Sequence, residues 1–210
     1  MKKVEFYKSL QSMDDKESIK KFLVYNGSLV IAGVKPSVTV TIKKTPENTH
    51  GNWIKYGRDF LSDINLKSIC LREEKNASII LVYNENILKE HILKKENIEF
   101  LNKLGYKNED SINEYVKQLK ERYQEFNCPH ELGIFLGIPI DDVKDFMECS
   151  SKRCLGCGYW KVYSNYEEAK RVFKNYDEIR EKTMKNIMNG TPIDKIIRNI
   201  SFYNYNQIYI

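Results

Sequence analysis

The stretch Ala77-Ser78-Ile79-Ile80-Leu81-Val82-Tyr83 decides the fold class of this 210-residue chain. Ile79 to Val82 is apolar on both faces, which reads as the central strand of a sheet. Just before it lies another β-rich run, Leu66 to Leu71, and the polar segment Arg72-Glu73-Glu74-Lys75-Asn76 bridges the two as a hairpin. Further upstream, Val38-Thr39-Val40-Thr41-Ile42 alternates apolar and polar side chains, the period of a half-buried strand. Leu29-Val30-Ile31-Ala32-Gly33-Val34 is apolar enough to be one more, set off by a Lys35-Pro36-Ser37 turn.

Around these strands the period lengthens to between three and four. Residues 14–24 read as a short helix, Pro46 to Asn52 as loop, and Trp53 to Ile64 as helical through Trp53, Tyr56, Phe60 and Ile64. After Tyr83 helices dominate: Glu85 to Lys94, Asn97 to Leu104, Ser111 to Phe126, Tyr166 to Met188 and Pro192 to Ile200, with 201–210 as an aromatic tail. Tyr159 to Tyr163 reads as a late strand that must pair with something. The expected fold is α+β: a small mixed sheet from the N-terminal third plus one C-terminal strand, packed with a helix-rich C-terminal two-thirds. A single domain over 1–210 is expected, divisible into a strand-rich half, 1–105, and a helical half, 106–210.

Composition narrows the class. Hydrophobic residues at 41% and charged residues at 30% suit a folded globular chain rather than a disordered one. No run approaches the eighteen or so apolar residues that span a bilayer, and no apolar segment follows the basic start Met1-Lys2-Lys3. A cytoplasmic location is expected. There, five cysteines point to free thiols or metal ligands rather than disulfides. The net charge of +5 is concentrated in residues 150–198, with eleven basic against six acidic side chains, while 101–149 is acidic. That interleaved surplus reads as a solvated face before it reads as a polyanion site.

The run Cys128-Pro129-His130-Glu131-Leu132-Gly133-Ile134-Phe135-Leu136-Gly137-Ile138-Pro139-Ile140-Asp141-Asp142-Val143 lays out two helices about a glycine turn. Pro129 suits the first helical position and Glu131 the third, with Cys128 or Asn127 as cap. The layout matches a helix-turn-helix. Charge argues against DNA, since Asp141, Asp142, Asp145 and Glu148 face a lone Lys144 on the would-be reading helix. A packed helical hairpin is the expected role, and nucleic acid is not an expected ligand.

Chemistry is concentrated in Cys149-x4-Cys154-x2-Cys157-Gly158. Two thiolates two residues apart can chelate one ion if the chain turns tightly, and Gly156 and Gly158 would supply that turn. Cys149 is a third candidate ligand, and Cys128, His130 or Cys70 a fourth. Zinc and an iron–sulfur cluster both fit this spacing. A thioredoxin-like pair fits less well, because the motif runs into a strand instead of opening a helix. Cysteines packed as small hydrophobes remain the plainer reading. His130 is also a candidate haem contact beside a Cys-Pro dipeptide, or a surface residue.

Together, Pro129-His130-Glu131-Leu132-Gly133, Phe135-Leu136-Gly137-x-Pro139, Cys157-Gly158-Tyr159-Trp160-Lys161-Val162-Tyr163 and Leu29-x-x-Ala32-Gly33-x-Lys35-Pro36-Ser37 resemble a clostridial family of uncharacterised proteins, a domain of unknown function. The resemblance spans most of the chain and features Cys157 more firmly than Cys149 or Cys154. It implies an iron- or redox-linked role by association with flavodoxin and ferrous-iron uptake. Three functions follow as expectations. The first is a metal- or cluster-binding accessory protein of anaerobic iron or redox metabolism. The second is an interaction module without metal, docking an acidic partner such as a flavodoxin. The third is a haem- or thiol-dependent enzyme using Cys157, His130 and Glu131.

Overall fold

The computed structural model describes residues 2–44, 49–148 and 152–201. The chain forms two compact units, one of Met1–Asn84 with Glu178–Ile210, the other of Glu85–Asp177.

The first unit opens with α1 (Lys2–Gln11) and α2 (Asp15–Asn26), which pack together. Asp14 caps α2, its carboxylate accepting from the backbone N–H of Lys16 and Glu17. The chain then makes α3 (Ser28–Ile31), β1 (Ser37–Lys43), α4 (Thr49–Asn52), a π-turn over Trp53–Gly57, α5 (Arg58–Asp63), β2 (Lys67–Glu73) and β3 (Ala77–Tyr83). The three strands form an antiparallel sheet in the order β1-β3-β2, with β3 in the centre as its two-faced apolar run requires. Val38, Val40, Ile42, Ile80 and Val82 enter a core shared with Phe6, Leu23, Trp53 and Phe60, closed by Met184, Ile187 and Ile196 from the C-terminal helices.

Two expectations change here. Leu29 to Val34 is a helical turn, not a strand. Ser28 Oγ donates to Tyr25 O, Val30 and Ile31 donate to Gly27 O, and Gly33 ends the turn at a φ of 72°. A short apolar run buried all round has no period to separate helix from strand, so the capping chemistry decides. Residues 49–52, expected as loop, are helical, while 45–48 lie outside the described residues. Helix α1 had no clear signal, because Phe6 and Leu10 are its only buried apolar positions among several lysines.

The second unit is helical: α6 (Glu85–Ile92), α7 (Lys95–Lys103), α8 (Ile112–Glu125), α9 (Leu132–Phe135) and α10 (Ile140–Met147). Helix α6 packs on α7, α8 and α9, and α9 packs on α10. Leu88, Leu101, Tyr115, Leu119 and Phe135 are fully buried. The late strand does not join the first sheet. β4 (Gly156–Cys157) and β5 (Lys161–Val162) form a hairpin of their own, because the cysteine segment folds back onto Lys161 and Val162. Helix α11 (Tyr166–Met188) runs from this unit's sequence into that of the first, and α12 (Ile193–Ser201) belongs to the first. The α+β class stands, and no helix among the described residues is long and apolar enough to cross a membrane.

Candidate functional site

The quoted motifs of the second unit are held by two buried carboxylates. Asp142, 3% exposed, accepts four hydrogen bonds. Its Oδ2 receives Trp160 Nε1 (2.8 Å), and its Oδ1 receives Tyr163 N (2.8 Å), Ser164 N (3.0 Å) and Ser164 Oγ (3.2 Å). One aspartate on α10 thus pins both ends of β5. Glu131, 2% exposed, pairs with Arg122 of α8 and accepts from the Tyr106 hydroxyl. Burial drives the Tyr106 hydroxyl's pKa far up, with the Glu131 charge adding to it. Arg122 also donates to Leu104 O at 3.1 Å. These side chains organise the backbone, as buried charges with full sets of partners do.

That geometry reassigns the helix pair. Pro129 to Glu131 form tight turns, with Leu132 N, Gly133 N and Ile134 N donating three residues back, so the regular helix starts at Leu132 rather than Pro129. Glu131 is drawn to Arg122 instead of capping its own helix. A Cβ on Gly133 would stand 2.8 Å from Val143 Cγ2, so its smallness lets α9 lie against α10. The pair is a packed hairpin, and Asp142 turns inward rather than toward a ligand.

The glycines of the cysteine segment have a packing role. Neither Gly156 nor Gly158 has positive φ. A Cβ on Gly156 would meet Tyr166 at 2.3 Å, and one on Gly158 would meet Phe173 at 2.4 Å. The glycines admit two rings from α11, and neither uses the left-handed backbone that only glycine adopts readily. Cys154 and Cys157 are free and exposed, and Cys154 Sγ donates to Gly156 O at 3.1 Å. Cys128 is exposed with its sulfur 3.9 Å from the Tyr123 hydroxyl. Exposed His130 lies edge-on to Phe146, whose ring is also capped by Lys161, the cross-strand neighbour of Cys157. Cys149 lies outside the described residues. Among the described residues no three His, Cys, Asp or Glu side chains are grouped to hold a metal. Cys70 lies in the first unit, on β2, its thiol directed to Arg72 O and the Glu73 carboxylate at 3.4 Å each. Glu73 also meets Lys44 at 2.5 Å and His50 at 3.5 Å, and the Lys44 ammonium holds its carboxyl down at about 2.

A second feature lies on the sheet. Asn84 N donates to Pro36 O and Lys44 N to Asn76 O, flanking a register that pairs Ser37 with Tyr83 and Lys43 with Ala77. Hydrogen-bonded pairs alternate along an antiparallel ladder, so Val38, Val40 and Ile42 turn their backbone groups toward β3. The N–H and C=O of Thr39, Thr41 and Lys43 therefore point off the free edge of β1. No other described residue donates to or accepts from them. Beside this edge runs a groove of about 880 Å³. Tyr7 and Leu10 of α1, Ile19, Phe22 and Asn26 of α2, and Thr49 and Asn52 of α4 line it, with Asp15 and Lys43 as its charged side chains.

With the geometry in place, the chain can be set beside known proteins. A family model described as "Protein of unknown function (DUF3793)" matches residues 23–197. The chain belongs to the DUF3793 family. No curated protein and no solved structure matches it. The DUF3793 match takes in β1, the groove's α4 wall and the last residues of α2, both buried carboxylates and the cysteine hairpin, while α1 falls outside it. In the sequence, Thr39, Thr41 and Lys43 alternating with Val38, Val40 and Ile42 marked a DUF3793 strand with one buried face, but not its place at the sheet edge.

Proposed function

We propose that this chain is a protein-interaction module of the cytoplasm that takes an extended polypeptide segment as an added strand along β1. The observation that carries this reading is the set of N–H and C=O groups at Thr39, Thr41 and Lys43 that no described residue pairs, beside a groove whose helical walls mix apolar and polar side chains. Strand addition draws its affinity from such main-chain groups and its specificity from pockets for alternate side chains. Thr41→Pro tests it. Proline is tolerated on an edge strand where its missing N–H faces outward, so the fold is retained while the central donor is lost. A display library of nine-residue peptides, selected on the wild type and counter-screened on Thr41→Pro, should yield binders weakened about tenfold or more by the substitution. Binders that hold both proteins equally would sink the proposal. Such binding changes little with salt. An acidic, flavodoxin-like partner held by the basic face of 166–188 is the salt-sensitive alternative.

A second reading places zinc or an iron–sulfur cluster on Cys154 and Cys157, with Cys149, Cys128 and His130 as further ligands. Its support is the exposure of both free thiols on one short hairpin. Anaerobically purified protein should then carry close to one equivalent of metal, lost in Cys154→Ser with Cys157→Ser. Metal below a tenth of an equivalent with all thiols titratable excludes it.

A further inference from the structure

Asn52 stands apart from the other polar side chains of the groove. It lines the groove, yet it is only 6% exposed. Helix α4, which carries it, packs on both β1 and α2. It sits just before the π-turn Trp53–Gly57 and does not cap that turn through its side chain. Among the described residues no group hydrogen-bonds its side-chain amide. Asn26, the groove's other asparagine, is engaged, its Nδ2 donating to Phe22 O at 2.8 Å. Burying an amide without a protein partner costs stability, so folding alone gives no reason for an asparagine at position 52. The π-turn beside it points the same way, because such local widenings of a helix occur frequently at functional sites.

The chemistry of this amide matches what an added strand lacks. A segment laid along β1 uses the N–H and C=O of every second residue for the ladder. Those of the alternate residues point away from β1 and lose water as the groove takes the segment in. A side-chain amide offers donors and an acceptor together, the set that one such residue needs. Asp15 and Lys43, the charged side chains of the groove, each supply only half of it, since a carboxylate accepts and an ammonium donates.

We infer that Asn52 is a binding residue of the groove, its side-chain amide pairing with the N–H and C=O of one residue that β1 leaves unpaired in the bound segment. This rests on the reading that the groove takes an extended segment, and it adds a second line of main-chain recognition that is indifferent to the segment's side chains. The nine-residue peptides selected on the wild type are the probe. Asn52→Leu, which fills similar space without polar atoms, should weaken them about tenfold while leaving the urea midpoint of the free protein unchanged or raised. Asn52→Ala, which removes the amide without adding bulk, should weaken them alike. N-methylation of the peptide backbone, one residue at a time, separates main-chain pairing from side-chain contact. At one position it should cost about tenfold on the wild type and almost nothing on Asn52→Ala. Equal losses on both proteins at every position overturn the inference, as do peptides that bind both Asn52 variants as tightly as the wild type. The two proposals fail separately. Binders weakened by Thr41→Pro but not by the Asn52 variants leave strand addition standing without this residue. Binders weakened by the Asn52 variants but not by Thr41→Pro keep the residue and remove β1. A library that yields no binder overturns both.

Discussion

Asp142 shows how one side chain sets local structure. It is a single carboxylate with four donors aimed at it, from the Trp160 indole, two backbone N–H groups and the Ser164 hydroxyl. An asparagine in its place would keep one oxygen for Tyr163 and Ser164 but turn an amide donor against the Trp160 N–H. Asp142→Asn should therefore cost about 2 kcal/mol, read as a lowered urea midpoint with an altered Trp160 fluorescence in the folded state. In the sequence this residue was visible as part of a motif, but its role was not. It counted there as one of four charges on an exposed helix, because nothing local reveals that Trp160 lies opposite, eighteen positions later. Glu131 misled in the same way, offering itself as a cap or a catalytic orienter while Arg122 and Tyr106 hold it.

At the level of elements, the contact between α9 and α10 rests on Gly133. A methyl group there would overlap Val143 Cγ2. Gly133→Ala should destabilise by about 1–3 kcal/mol, since overpacking forces side chains from their rotamers. Val143→Ala removes the obstructing methyls, so the double variant should lose less than the two single losses added, by about 1 kcal/mol in a denaturation cycle. Additive losses would mean that the two helices do not meet through this pair. Long, strongly periodic elements such as α8 and α11, and the apolar central strand, were legible, since many residues carry each signal. Leu29 to Val34 was not, for lack of any period, and neither was the shared role of the glycines beside Cys154 and Cys157. A glycine looks alike in sequence whether it bends the chain or makes room for a ring, and here Tyr166 and Phe173 fill the space.

For the molecule as a whole, Lys35 offers a test by pH. It is 7% exposed, and burial, with Arg180 adding to it, lowers its pKa from 10.5 to about 8. The folded state thus binds fewer protons than the unfolded state between those values. The associated stability is fully present only above pH 10.5, and is lost as pH falls through about 8. Relative to Lys35→Met, the wild type should gain roughly 3 kcal/mol from about pH 8 to about pH 10.5 in paired urea titrations, where other titrating groups cancel. A constant difference would show that the amine is solvated. The division of the chain carries a consequence of another kind. The first unit draws its core from both ends of the sequence, with Phe6 and Leu23 packed in the same cluster as Met184, Ile187 and Ile196. During synthesis those N-terminal apolar faces leave the ribosome long before the residues that close them, and must wait for more than a hundred further residues to be added. Translation that stops anywhere before residue 184 leaves that core open. Incomplete chains of this protein should therefore be strong chaperone clients and poor survivors, however well their helical middle has been made.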